Sequence, residues 1–114
     1  MKVVLLRNQC PDRVSCPRLY STDQGTYVVQ GYANADLACR PGEAVVEVPL
    51  TLIPEIAAQS HRDLHVTDHG TVLVRGSKIS DREALVDLRL PAGEEAVELA
   101  ADALPALEVT VDAR

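Results

Sequence analysis

The nucleophilic, metal-binding and proton-transfer options of this sequence rest mainly on Cys10, Cys16, Cys39, His61, His65 and His69. Thiolate and imidazole are ligands of tetrahedral zinc, so Cys10, Cys16 and Cys39 with one histidine could supply a closed site. In Cys10-Pro11-Asp12-Arg13-Val14-Ser15-Cys16-Pro17 five residues separate the first pair, wider than the roughly two to four usual in zinc sites. No matching second pair follows. Cys10 and Cys16 could instead form a labile disulfide, and free thiols are the plainest reading of all.

The histidines recur every fourth residue, a spacing that on a helix would place them on one face. An internal repeat, set out below, instead puts His65 just before a hairpin turn and His69 at its tip, where an exposed histidine is expected. Cys16, His65 and Asp68 offer the residue types of nucleophile, base and orienting acid. No Gly-x-Ser-x-Gly, phosphate-cradling glycine loop or His-Glu-x-x-His motif accompanies them. Glu43, Glu47, Glu94, Glu95 and Glu98 read as solvated faces of strands or turns. The expectation is a protein with no catalytic residues and no cofactor, unless zinc sits on Cys10, Cys16 and Cys39.

The elements that must carry these residues come from the repeat. Residues 19–31 align without gaps on 64–76, with identity at Leu19/Leu64, Thr22/Thr67, Asp23/Asp68, Gly25/Gly70, Thr26/Thr71, Val29/Val74 and Gly31/Gly76. After a length difference of six residues, 42–48 aligns on 93–99, and the register holds through 52–56 on 103–107. In each copy Thr-Asp-x-Gly lies between two short apolar runs. Gly25 and Gly70 suit the left-handed position of a hairpin turn, and Asp23 and Asp68 are expected to cap its backbone amides.

The β-branched runs 26–30 and 71–75 predict strands ending at Gly31 and Gly76, which we take as turn positions. A further strand follows each later glycine, with Val46, Val48, Val97 and Leu99 on one buried face. Each copy closes on a short helical segment with a proline, N-capped by Thr51 or Asp102. Ser80-Asp81-Arg82-Glu83 is a capping-box pattern that predicts a brief helix in the six-residue excess of the second copy.

The fold class is therefore α+β and strand-dominated. We expect one domain over residues 1–114, built from two tandem hairpin-plus-short-helix units at about 19–58 and 64–107. Two such units would share a core about a pseudo-two-fold axis, or lie in one continuous sheet. Terminal strands at about 2–6 and 108–111 would pair together or cover sheet edges.

Charge and composition narrow the function classes. Lys and Arg total 11 against 17 Asp and Glu, a net charge of -6. That field repels phosphate, so direct nucleic-acid binding is not expected. No stretch reaches the roughly 20 apolar residues of a membrane span, and the apolar run after Lys2 is too short for a signal peptide. Three cysteines without a disulfide framework fit a reducing, cytoplasmic location. With no Phe and no Trp, the core must be made of Val, Leu, Ile and Ala.

Val72-Leu73-Val74-Arg75-Gly76-Ser77-Lys78 resembles the Val-x-Val-Arg-Asp-Ser-Lys signature of the BldB-like family of small actinobacterial proteins. Gly76 stands where that family has Asp, and the family's tryptophans are absent here. The resemblance covers about one unit. It implies a non-enzymatic regulatory partner of a helix-turn-helix transcription factor. Sequence alone thus points to a protein-interaction module, open to homodimerisation, with a small zinc or thiol redox protein using Cys10, Cys16 and Cys39 as the alternative.

Overall fold

The computed structural model describes residues 1–9, 17–34, 37–58 and 61–104. In chain order the strands are β1 (Val3–Asn8), β2 (Arg18–Thr22), β3 (Tyr27–Ala33), β4 (Glu43–Pro49), β5 (Leu64–Val66), β6 (Thr71–Lys78) and β7 (Glu94–Leu99). One helix, α1 (Arg82–Leu88), separates β6 from β7, and 3-10 turns span Leu50–Leu52, Pro54–Ala58 and Ala101–Ala103. All seven strands join one antiparallel sheet, so the protein is α+β and strand-dominated. The expected strand at 108–111 and the end of the second unit lie outside the described residues.

β2 and β3 form one hairpin and β5 and β6 another, as the turn chemistry predicts. The turn glycines Gly25 and Gly70 have φ of 76° and 83°, a region open to glycine at no steric cost. The caps differ from expectation. Thr22 Oγ1 accepts the amides of Gln24 and Thr26, both at 3.2 Å, and Thr67 Oγ1 accepts those of His69 at 3.4 Å and Thr71 at 3.3 Å. Asp23 instead accepts the Lys2 amide at 3.2 Å, and Asp68 contacts the His69 ring at 3.1 Å. A threonine hydroxyl at the first turn position already points into the loop, which leaves the aspartates facing outward.

The long pairings cross between the two halves of the chain. β3 pairs with β7 from Tyr27↔Leu99 to Tyr32↔Glu94, and β4 pairs with β6 from Glu43↔Ser77 to Pro49↔Thr71. Shorter pairings, Tyr32↔Glu47 with Ala33↔Val46 and Ser77↔Glu98 with Lys78↔Val97, close β3, β4, β6 and β7 into a ring. Gly31 and Gly76 therefore do not end strands. They lie inside β3 and β6, where a Cβ on Gly31 would stand 2.5 Å from the Glu47 carbonyl oxygen and one on Gly76 2.5 Å from that of Glu98. Backbone cannot yield at such a distance, so the absence of a side chain is what lets the ring close.

Burial is two-sided. Leu19, Val29, Val46, Val48, Val74 and Val97, with Leu52, Ile53, Ile56 and Leu104 in or just after the 3-10 turns, form the main core. The opposite face of β2, β3 and β7 carries Tyr20, Val28 and Ala96, covered by Leu88 of α1 with Met1 and Val3 beside it. Asp81, one residue later than the capping-box pattern starts, is the cap of α1, and its carboxylate accepts the Ala84 amide at 3.0 Å. Thr51 and Asp102 lie within their 3-10 turns and cap nothing there, because Pro49 and Ala100 occupy the cap positions. The carboxylate of Glu94 is also buried, against the solvated role expected of it. Tyr20 Oη donates to Gln30 Oε1 at 3.3 Å, and Gln30 Nε2 donates to Glu94 Oε1 at 3.0 Å. A buried carboxylate is tolerated where donors meet it, and this row supplies one.

Gly31→Ala and Gly76→Ala are each expected to lower stability by about 1–3 kcal/mol, the cost of overpacking. Urea denaturation measures this. Midpoints equal to the parent's would mean that the strands do not approach as described.

Candidate functional site

Three surface features stand apart from the core. The first is the edge strand β1, which pairs with β2 on one side and with no strand among the described residues on the other. Its register shifts between Leu5 and Arg7, a bulge of the kind that bends sheet edges. Val4, Leu5 and Leu6 are 59%, 46% and 39% exposed, a consecutive apolar run open to solvent.

Both ends of β1 are anchored. Val3 packs into the cluster under α1. Arg7 donates to both carboxylate oxygens of Glu55, at 2.8 and 2.6 Å, and to the Leu52 carbonyl at 3.2 Å. That fork raises the Arg7 pKa and holds the Glu55 carboxyl below the ordinary range. The sequence signal for this surface was the run Val3-Val4-Leu5-Leu6, which lacks the polar alternation of a strand with one wet face.

The second feature is a cavity of about 290 Å³ lined by Ala38, Cys39, Arg40, Glu43, Arg62, Asp63 and Arg75. Arg75, on β6, forms one wall. Its Nε donates to Asp63 Oδ1 at 3.0 Å, Nη1 to the Ala38 carbonyl and Nη2 to the Arg62 carbonyl, both at 2.7 Å. The loop before β4 and the chain before β5 are thus tied to β6 by one guanidinium. Glu43 accepts the Arg40 amide at 2.9 Å and fixes the turn into β4.

The third is a clasp at the β5–β6 turn. Thr71 Oγ1 donates to Glu47 Oε2 at 2.6 Å, His69 Nε2 lies 3.0 Å from the same oxygen, and Asn34 Nδ2 donates to Glu47 Oε1 at 3.1 Å. Thr71, then His69 and Asn34, hold the Glu47 carboxyl below the usual range. Asp68 and Glu47 together raise the pKa of the His69 imidazole. The turn position expected of His69 is observed, while its carboxylate partner on β4 is invisible to local sequence.

Of the expected metal set, Cys39 is exposed and opens onto the cavity, whereas Cys10 and Cys16 lie outside the described residues. Among the described residues no group of three His, Cys, Asp or Glu side chains could hold a metal ion. His61 bridges to Leu64, His65 lies on β5 and His69 in the clasp, so the histidines do not converge. No described helix is long and apolar enough to cross a membrane. Comparison with family models, curated proteins and solved structures finds no match.

The clasp has a defined pH window. The folded His69 pKa lies above its ordinary 6.5, so its contribution is complete below 6.5 and disappears as pH rises through the folded value. The folded Glu47 pKa lies below its ordinary 4.5, so its contribution is present above 4.5 and is lost as pH falls through the folded value. The clasp is therefore strongest between 4.5 and 6.5. The melting-temperature difference between the parent and His69→Gln should peak in that window and shrink at higher pH. A difference independent of pH would show that His69 carries no charge in the clasp.

Proposed function

We propose that the chain is a non-enzymatic protein-interaction module, a cytoplasmic regulator of a helix-turn-helix DNA-binding partner, with β1 as its contact strand. The observation that carries this reading is the exposed apolar run Val4-Leu5-Leu6 on an edge whose outer side is unpaired among the described residues. Natural edges are usually blunted by charge, and an apolar one fits the addition of a partner strand. The Asp23 amide donates to the Lys2 carbonyl at 3.1 Å. Antiparallel alternation then turns the backbone groups of Val3 and Leu5 outward, available to such a strand. The net charge of -6 favours a basic partner and speeds the encounter at low salt.

With this goes a reading of the architecture as two hairpin-plus-short-helix units about a pseudo-two-fold axis. It is supported by paired relations: Tyr27↔Leu99 with Val72↔Val48, and Val28↔Glu98 with Leu73↔Glu47. Thr26 donates to Glu98 at 2.6 Å, as Thr71 does to Glu47.

The experiment is affinity capture at two salt concentrations, followed by titration of the purified partner against parent and variants. A basic DNA-binding protein that binds stoichiometrically and more weakly at high salt is expected. Val4→Asp and Leu6→Asp should each weaken it about tenfold or more, about 1.4 kcal/mol, without lowering the melting temperature. The reading fails if no stoichiometric partner is recovered, or if the Val4→Asp and Leu6→Asp variants bind as tightly as the parent.

A further inference from the structure

The cavity beside Cys39 is cationic in an acidic protein. Arg40, Arg62 and Arg75 against Asp63 and Glu43 leave one net positive charge on its lining, while the whole chain carries -6. The three guanidiniums are not equivalent. Arg75 is only 20% exposed, and its bonds to Asp63 and two carbonyls commit it to holding the walls. Arg62 is 86% exposed, and its nearest carboxylate oxygen, Asp63 Oδ2, is 3.9 Å away, with Oδ1 of the same group already given to Arg75. Among the described residues the Arg40 side chain has no hydrogen-bond or ion-pair partner, and Glu43 is engaged by the Arg40 backbone amide instead. Arg40, which has no such partner, and Arg62, held only by a 3.9 Å ion pair to Asp63, therefore line one concave site together with the fixed Arg75.

We propose that this cavity binds a small phosphate monoester, its phosphoryl oxygens held by Arg40 and Arg62 and its charge supported by Arg75. A planar fork of donors matches tetrahedral phosphate oxygens bidentately, and a dianion gains more than a carboxylate from paired guanidiniums. The volume of about 290 Å³ lies just below the roughly 300–1,000 Å³ of drug-sized ligand pockets, which suits a compact metabolite and not a nucleic-acid chain. Glu43 and Asp63 impose a selectivity of their own, since they repel a ligand with carboxylates spread over its whole length. Cys39 lines the site and reports on its occupancy.

The test follows alkylation of Cys39 by iodoacetamide, resolved by peptide mass spectrometry, with glycerol 3-phosphate, inorganic phosphate or sodium chloride at matched ionic strength. Glycerol 3-phosphate is expected to slow Cys39 alkylation about tenfold with a half-effect on the order of 1 mM, and calorimetry should give a matching Kd. Inorganic phosphate alone should protect more weakly, because it leaves the rest of the cavity empty. The Arg40→Gln, Arg62→Gln double variant, which spares the structural Arg75, should lose protection and keep the parent's melting temperature. Equal protection by chloride, or full protection in the double variant, would overturn the assignment. If inorganic phosphate protects as well as the ester, the site takes a free oxyanion and the monoester claim fails. Binding at β1 is read separately, so loss of either proposal leaves the other intact.

Discussion

The backbone approaches of Gly31 to Glu47 and of Gly76 to Glu98 are the constraint on which the rest of the structure depends. At both places a strand from one half of the chain lies against a strand it must cross to close the ring. A single methyl group would push them apart. The two glutamates also act through their side chains, since Glu47 accepts from Thr71 and Glu98 from Thr26, each at 2.6 Å. Because those threonine protons go to carboxylates, the hydroxyl oxygens are left to accept from Thr67 and Thr22, each at 2.7 Å. Each glutamate therefore joins the turn of one hairpin to the crossing point of the other.

Ring closure explains the composition. A narrow ring of β3, β4, β6 and β7 has room for Val, Leu and Ala and little for larger rings, consistent with a chain that lacks Phe and Trp. Tyr27 is the one aromatic of the main core, at the rim where β3 begins. Outside the ring, β2 and β3 have a second apolar face that α1 covers, and the row of Tyr20, Gln30 and Glu94 runs across β2, β3 and β7. A polar row of that kind adds little net stability, but it ties β2, β3 and β7 into one register because a shifted strand would leave the carboxylate without its donor.

The surfaces open to partners lie where the core is already complete. Arg7 and Val3 anchor β1 at its ends and leave Val4, Leu5 and Leu6 with nothing further to cover among the described residues. Apart from β1, the chain carrying Cys39 is tied to β6 by Arg75, which bonds to the main chain at Ala38 and at Arg62 and so holds the walls of the cavity.

The amino-acid sequence by itself determined the local elements: the two hairpins from Thr-Asp-x-Gly, the strands from their β-branched runs, the brief helix from the excess at 80–86 and the free turn geometry of Gly25 and Gly70. These depend on residues within a few positions of one another, where backbone preferences decide. Tertiary structure alone decided that β3 takes β7 and β4 takes β6, that Gly31 and Gly76 serve a crossing instead of a turn, and that Glu94 is buried. It also brought Arg40, Arg62 and Arg75 to one cavity. Those outcomes rest on contacts such as Thr26 with Glu98, 72 residues apart. The apolar runs of this chain are alike enough to fit several neighbours locally, and only closure of the whole ring selects among them.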